Sequence, residues 1–216
     1  MTPDSQALRN RFDGALIAAG VAASPTDMSD AVFDDLVARH GEPHRHYHTL
    51  RHVSACLEWL DRFYGLAERP EEVELALWFH DAIYDPRAPD NELRSAGLAR
   101  SALSGLGVPS EAVGRVWQHI EATQHHQASN CDSALVVDLD LTILGAAPHA
   151  FARFEQQIRV EYAHVQETVF RAGRARVLES FSSRSEIFRA VPIRELLETR
   201  ARANLERRIQ ELHRQD

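Results

Sequence analysis

An apolar run from Leu75 to Phe79 ends directly in His80 and Asp81, and this junction constrains the fold more than any other feature of the sequence. Consecutive apolar, helix-favouring residues predict a helix that is buried on most sides. Burying an imidazole and a carboxylate at its end costs free energy unless both groups have a partner. Because consecutive helical side chains point about 100° apart, only a group lying between their directions contacts both. A metal ion meets this requirement.

Apolar residues recur at helical spacing along nearly the whole chain, and no stretch shows the alternation that strands require. This pattern predicts an all-α fold. A chain of 216 residues is long enough to bury about 70% of its extended surface in one domain, so we expect a single domain over residues 1–216. The predicted helices span roughly residues 5–19, 29–40, 49–64, 70–83, 91–105, 110–123, 133–144, 147–164, 167–182 and 193–214.

Two further segments offer metal-ligand side chains. His48 and His52 are separated by one helical turn and share a face if their segment is helical. Asp138 and Asp140 lie in the apolar segment from Leu135 to Gly145, and the spacing alone leaves open which of them is a ligand. Imidazoles mixed with carboxylates, without a thiolate, suit a divalent ion such as Mn²⁺, Fe²⁺, Co²⁺, Ni²⁺ or Zn²⁺, with Mg²⁺ as a further candidate.

A His, a His-Asp doublet and a later Asp, in that order and on helices, resemble the HD superfamily of metal-dependent phosphohydrolases. The resemblance implies a helical bundle of the HD/phosphodiesterase type. It also implies a metal-binding core at roughly residues 40–145, on which the C-terminal helices pack. Longer strings resemble a bacterial subgroup of predicted HD-domain hydrolases and extend the likeness over most of the chain: Arg45 to His48, Trp78 to Asp81, Tyr84 to Pro86, Asn91-Glu92 with Ser95, and Asp138 to Gly145.

The resemblance also selects among the candidate ligands. Asp140-Leu141-Thr142 is similar to the Ala-Asp-Leu-Ser stretch that supplies the last metal ligand in cyclic nucleotide phosphodiesterases, which favours Asp140 over Asp138. His52 is followed by Val53, as the first ligand is followed by Ile or Val in small bacterial members. The implied ligand set is therefore His52, His80, Asp81 and Asp140.

Such an ion polarises a phosphorus centre and lowers the pKa of its bound water, which is the expected nucleophile. Asp81 is expected to orient that water with its second oxygen. Phosphoryl transfer also needs cationic donors, and Arg45, His48 and the His125-His126 pair are candidates. These two histidines end a predicted helix, where the dipole favours an imidazolium. The family-like pattern points to His126 as proton donor, with second-metal ligand and surface helix end as alternatives.

Other polar residues near these segments carry weaker expectations. Glu74 is a candidate hydrogen-bond partner for a ligand imidazole, or an ordinary acid near a helix start. Asp85 either binds a second cation or caps a loop, and Asn91 and Glu92 either reach substrate or begin the next helix. Arg171 and Arg174 either meet phosphate or face solvent. Most of the remaining side chains are expected to be polar surface or rings bordering the site: His44, His46, Tyr47 and Tyr84.

Charge and composition narrow the substrate and the compartment. A formal net charge of −8 disfavours long nucleic acids, because duplex binding depends on many Lys and Arg contacts to phosphate. No apolar stretch approaches the roughly 20 residues of a membrane span, and no signal peptide is apparent, so we expect a cytoplasmic protein. Cys56 and Cys131 stand far apart, which favours simple packing roles over a thiolate metal site.

The expected function is therefore that of a metal-dependent phosphohydrolase cleaving a small phosphorylated metabolite or a nucleotide. One alternative is an HD-type di-iron oxygenase, because His48, His125 and His126 offer surplus ligands. The other is a non-catalytic nucleotide-binding module that keeps the fold. Metal count, redox state and product formation discriminate among the three.

Overall fold

The computed structural model describes residues 5–22 and 27–214. Over these residues the protein is all-helical, with no strand, which confirms the predicted fold class. No single helix in this part is long and apolar enough to cross a membrane, and the helices between Cys131 and Glu161 meet that test only as a bent pair. The α-helices are α1 Ser5–Ala18, α2 Asp27–His40, α3 Leu50–Phe63, α4 Pro70–Phe79, α5 Asn91–Gly105, α6 Ser110–His125, α7 Cys131–Asp140, α8 Pro148–Glu161, α9 Glu167–Ser182 and α10 Val191–His213.

The end of α4 departs from its predicted boundary by four residues, as does the end of α7. Helix α4 was expected to continue to about residue 83 but ends at Phe79. Beyond it, side chains replace the helical hydrogen bonds: Arg45 donates to the carbonyl oxygens of Asp81 and Ala82, and the Ser95 hydroxyl binds both the N–H and the carbonyl oxygen of Ile83. Arg45 and Ser95 lie in other segments of the chain, so the periodicity of the local sequence cannot predict these contacts.

The chain divides into two compact units, Met1–Leu139 and Asp140–Asp216. In the first unit α4 is central, and its side chains from Leu75 to Phe79 are at most 1% exposed. It packs against α1, α3, α5 and α6. The Trp78 ring meets the edges of Phe12 and Phe33 at centroid separations of 5.6 and 5.8 Å. Burial on every side explains why α4 is apolar without interruption from Leu75 to Phe79 rather than along one stripe.

The second unit contains α8, α9, α10 and the 3₁₀ segment Leu141–Gly145. Asn204 on α10 donates its side-chain amide to the carbonyl oxygens of Leu144 and Ala146, both at 2.9 Å. Gly145 lies against α10 so closely that a Cβ added to it would come within 2.7 Å of Leu197 Cβ. The glycine therefore permits the close approach of the 3₁₀ segment to α10.

Buried polar groups surround the start of α4 in the first unit. Asp132 accepts hydrogen bonds from the backbone N–H groups of Glu68 and Arg69, at 2.8 and 3.0 Å. The His119 ring is 2% exposed, and its Nδ1 lies 2.8 Å from the Ser133 hydroxyl oxygen. Among residues 5–22 and 27–214, its Nε2 finds no hydrogen-bond partner. Burial, the largest effect, lowers the pKa of His119, since a charged imidazole is poorly solvated there.

Replacing Gly145 by alanine should destabilise the protein, because the new methyl group meets both the side chain and the backbone of Leu197. We expect the free energy of unfolding to fall by about 1–3 kcal/mol in chemical denaturation. Gly173→Ala is the matched control: Gly173 lies inside α9, and nothing is within 4 Å of an added Cβ. This variant should gain about 0.5–1 kcal/mol. Equal effects of the two substitutions would contradict the close approach at Gly145.

Protonation of His119 should favour the unfolded chain, because the folded-state pKa lies below the ordinary value of 6.5. The stabilisation from neutral His119 is thus present above pH 6.5 and is lost as the pH falls below it, by at most about 1.4 kcal/mol per pH unit. In His119→Gln, unfolding free energies measured between about pH 7 and 5 should fall less steeply. His149→Gln, at an exposed position on α8, should leave the slope unchanged. An identical slope in His119→Gln would refute the expectation.

Candidate metal centre

Three of the predicted ligands meet within the first unit. His52 lies in the first turn of α3, and His80 and Asp81 lie in the turn that follows α4. The Nε2 atoms of His52 and His80 are 3.1 Å apart. Asp81 Oδ2 is 3.1 Å from His80 Nε2 and 3.6 Å from His52 Nε2. The His-Asp doublet and a histidine 28 positions earlier therefore converge as the sequence predicts.

The separations fit a single divalent ion. An ion that binds N and O donors at about 2.0–2.2 Å places neighbouring donors about 2.8–3.6 Å apart, between octahedral and tetrahedral angles. All three measured separations fall within that range. The donor set of two imidazoles and one carboxylate suits the borderline divalent metals. His52, His80 and Asp81 are therefore close enough to hold a metal ion.

The ring of His80 is oriented for ligation. Its Nδ1 lies 2.9 Å from the carbonyl oxygen of Leu77, which only accepts, so Nδ1 carries the proton. In the neutral ring, Nε2 then presents its lone pair toward His52 and Asp81. The side chain is 1% exposed, so water has little access to that lone pair. A cation among the three donors would offset this cost of burial.

Asp81 is held in its ionised form. Burial acts to raise the pKa of this carboxyl, but its interactions with the imidazoles of His80, His48 and His52 outweigh burial and hold the pKa of Asp81 well below its ordinary value. The Asp81 side chain is 15% exposed, more than either ligand histidine. It is thus the ligand nearest to solvent, which suits its expected role of orienting a water molecule.

His48 lies beside this group, although not where the helical spacing places it. The helix α3 begins at Leu50, so the prediction that His48 and His52 share a helix face is wrong. Instead the His48 ring stacks on Tyr84, with centroids 4.1 Å apart, and meets the edge of the His52 ring at 6.2 Å. The imidazole of His48 is half-buried and lies next to the group of three ligands without belonging to it.

Arg45 is buried beside the ligand segments and is bound to backbone carbonyl oxygens. Its side chain is fully buried, and its guanidinium donates to Glu42 Oε2 at 2.9 Å and to backbone carbonyl oxygens. Those carbonyls belong to His48, Asp81 and Ala82, at 3.1, 2.6 and 3.0 Å. These contacts occupy the guanidinium and do not favour a contact with phosphate. The role of Arg45 as a cationic donor to a phosphoryl oxygen stays a prediction.

The end of α7 carries the candidates for the last ligand. Asp138 is fully buried, whereas Asp140 is the last residue of α7, is half-buried and begins the second unit. Leu139, between them, has its carbonyl oxygen 3.9 Å from the Cys56 thiol. The helix that bears both acids thus ends against α3, one turn beyond His52. The choice of Asp140 over Asp138 stays a prediction.

Cys56 is the residue at the site that the sequence analysis missed. Its sulfur lies 3.8 Å from each ring nitrogen of His52. Solitary cysteines were expected to serve packing alone, and Cys56 is indeed buried, but it also borders the first ligand. Its spacing of four residues from His52 was the available signal, since residues one turn apart on a helix are neighbours.

The histidines at the end of α6 have the predicted local structure. The helix ends at His125, and His126 follows in a left-handed conformation with φ of 50°. His125 is exposed, and His126 is half-buried. Within the described residues, neither joins the group formed by His52, His80 and Asp81. Their predicted roles as proton donor or second-metal ligand stay predictions.

Several weaker candidates have structural roles in the first unit. Glu74 does not bind an imidazole in the contacts described: Arg11 donates to both of its oxygens, at 2.9 and 3.2 Å, and burial raises its pKa. Asp85 accepts from the backbone N–H of Arg87, as a loop cap does. The Asn91 amide spans the same loop, bonding to Asp85 N and to two carbonyl oxygens. Glu92 is half-buried at the start of α5, and its contact with substrate stays a prediction.

The two arginines of α9 are bound inside the second unit. Arg174 pairs with the buried Glu155 at 2.6 Å. Arg171 lines a groove of about 770 Å³, but its guanidinium donates to the carbonyl oxygens of Glu211 and Arg214 at the end of α10. The alternative in which these cations meet phosphate is not favoured by either set of contacts.

The aromatic and histidine side chains before α3 border the site as expected. Tyr47 lies against the His52 ring, with centroids 4.7 Å apart. His44 is exposed and bonds to the carbonyl oxygen of Tyr84 at 2.8 Å, and His46 is exposed.

Comparisons of the chain with protein-family models, with curated proteins and with solved structures returned no match.

Proposed function

We propose that this protein is a metal-dependent phosphohydrolase that cleaves a small phosphate ester, with nucleotides as the first class to test. The observation that carries the proposal is the convergence of His52, His80 and Asp81, whose donor atoms lie 3.1–3.6 Å apart. The proposal also draws on the resemblance of the ligand order to the HD superfamily. Asp140 completes the proposed ligand set.

The proposed mechanism divides the work among the protein's own side chains. When bound, a divalent ion supplies Lewis acidity and lowers the pKa of a coordinated water, the proposed nucleophile. His80 presents an unprotonated nitrogen because Leu77 holds its other ring nitrogen. Asp81 Oδ2 faces both imidazoles, which leaves Oδ1 to orient the water for attack on phosphorus. His48, beside the ligands, is proposed to protonate the leaving group, with His126 as the alternative donor.

The surroundings of the ligands favour a small substrate. His52 and His80 have side-chain exposures of 4% and 1%, so a phosphoryl group must approach on the side of Asp81. The His48 ring, stacked on Tyr84, is proposed to border that side and to contact a base or sugar. The net charge of −8 argues against a polymer with many phosphates.

Removing a proposed ligand should abolish metal binding and turnover together. Purified protein should contain metal and release phosphate from one member of a panel of nucleotides and sugar phosphates. His80→Gln and Asp81→Asn should each lower Mn²⁺ affinity and turnover by at least about 100-fold. His149→Gln, at an exposed position on α8, is the control.

Three outcomes of that experiment would overturn the proposal. Unchanged metal binding in both variants would show that His80 and Asp81 are not metal ligands. Two irons with oxygen consumption would indicate the oxygenase instead. Tight nucleotide binding without product over a long incubation would indicate a nucleotide-binding module.

A matched pair of variants tests the last ligand. Asp140→Asn should weaken Mn²⁺ binding by at least about tenfold with little change in melting temperature. Asp138→Asn should mainly lower the melting temperature, because Asp138 is fully buried and changing a fully buried polar group is costly. Isothermal titration and thermal unfolding measure the two effects. The reverse pattern would assign the ligand to Asp138.

A further inference from the structure

Arg45 is a buried cation that joins two separate segments of the first unit. One segment, residues 42–52, contains His48 and His52, and the other, residues 79–85, contains His80 and Asp81. The guanidinium donates to the carbonyl oxygen of His48 in the first segment and to those of Asp81 and Ala82 in the second. The Arg45 side chain has no exposed surface.

We propose that Arg45 is a positioning residue that holds the His52 segment and the His-Asp turn in the register at which their side chains share one metal ion. This inference rests on the proposed metal centre. The bond to the Asp81 carbonyl, at 2.6 Å, acts directly on the backbone of a ligand. The bond to Ala82, at 3.0 Å, holds the peptide that leaves it. Rotation of the turn after Phe79 would break both bonds.

The geometry of the side chain suits this role. A guanidinium is planar and carries five N–H donors in a rigid arrangement, so it can hold several carbonyl oxygens at once in defined directions. Glu42 binds Nε at 2.9 Å and balances the buried charge. The Arg45 guanidinium carbon lies 5.5 Å from the centre of the Tyr84 ring, which limits its movement. A lysine ammonium, with three donors at one point, does not reach the same set of acceptors.

A second contact ties the same two segments together. His44 bonds through Nε2 to the carbonyl oxygen of Tyr84 at 2.8 Å. Unlike Arg45, His44 is exposed, so water can replace this bond when it breaks. The Arg45 side chain is fully buried, so water does not readily reach its donors when a bond breaks. Arg45 therefore adds hydrogen bonds from a buried side chain to the ring contact of His48 with Tyr84 and to the approach of His52 to His80 and Asp81.

The experiment compares Arg45→Lys and Arg45→Met with Arg39→Lys, which alters a solvent-accessible arginine paired with Asp35 on α2. Each protein is prepared without metal, its hydrogen exchange is measured, and it is then titrated with Mn²⁺. Both Arg45 variants should exchange faster in residues 42–52 and 79–85 together, while α5 keeps its protection. Their Mn²⁺ affinity should fall about 10- to 100-fold. Arg39→Lys should match the unchanged protein in both measurements.

A rescue experiment separates positioning from general loss of stability. In Arg45→Ala, free guanidinium at millimolar concentration should occupy the vacated site and restore part of the Mn²⁺ affinity, whereas equal concentrations of sodium chloride should not. A variant damaged in its overall fold would not recover in this way. Absence of rescue, together with unchanged exchange in the two segments of Arg45→Lys, would overturn the inference.

The outcomes also distinguish this inference from the proposed function. Normal exchange and Mn²⁺ affinity in the Arg45 variants, with a raised KM for a phosphate ester, would return Arg45 to substrate binding and overturn the positioning role. Failure of the unchanged protein to hydrolyse any ester would overturn the proposed reaction and leave the metal-affinity comparison valid. Failure of the unchanged protein to bind Mn²⁺ would overturn both the proposed function and the positioning role of Arg45, because there would be no metal ion for the two segments to bind.

Discussion

The structure of the first unit depends on the hydrogen bonds that the polar groups at the end of α4 make inside the protein. The helix is buried on every side, so the backbone groups that follow Phe79 lie away from bulk water. Leu77 binds the His80 ring, Arg45 binds the carbonyls of Asp81 and Ala82, and Ser95 binds Ile83. With these groups paired, the remaining nitrogen of His80 and the Asp81 carboxylate point toward His52. The candidate metal centre is thus a consequence of where a buried helix stops.

Arginines in both units bind buried acids or backbone carbonyl groups. Arg115 binds Glu72 through two bonds of 2.6 Å, and Arg174 binds Glu155, with both glutamates almost fully buried. Arg45 follows the same principle with carbonyl oxygens. A buried carboxylate without a partner is costly, and a guanidinium with several donors is the side chain best able to neutralise it. Arginine near a candidate site is therefore weak evidence for phosphate binding until its contacts are known.

Much of the local structure could be predicted from the sequence, because it depends on local rules. Pro70 and Pro148 stand in the first turns of their helices, Asn91 begins α5, and the apolar spacing places most helix bounds within a few residues. The errors occur where a distant side chain decides. The end of α4 depends on Arg45 and Ser95, and His48 lies before α3 rather than on it. The predicted single domain stays a prediction, as does the packing of the C-terminal helices on the core.

The sequence by itself determined that the chain is helical and that an apolar helix ends in His80 and Asp81, because periodicity and composition are local properties. It also supplied His52 as a partner, through the order of residues rather than through any distance. Only the tertiary structure decided that the three donor atoms face one another, that Cys56 borders His52 and that Arg45 binds backbone carbonyl oxygens. These outcomes depend on contacts between segments far apart in the chain, and such contacts are set by packing that no local pattern records.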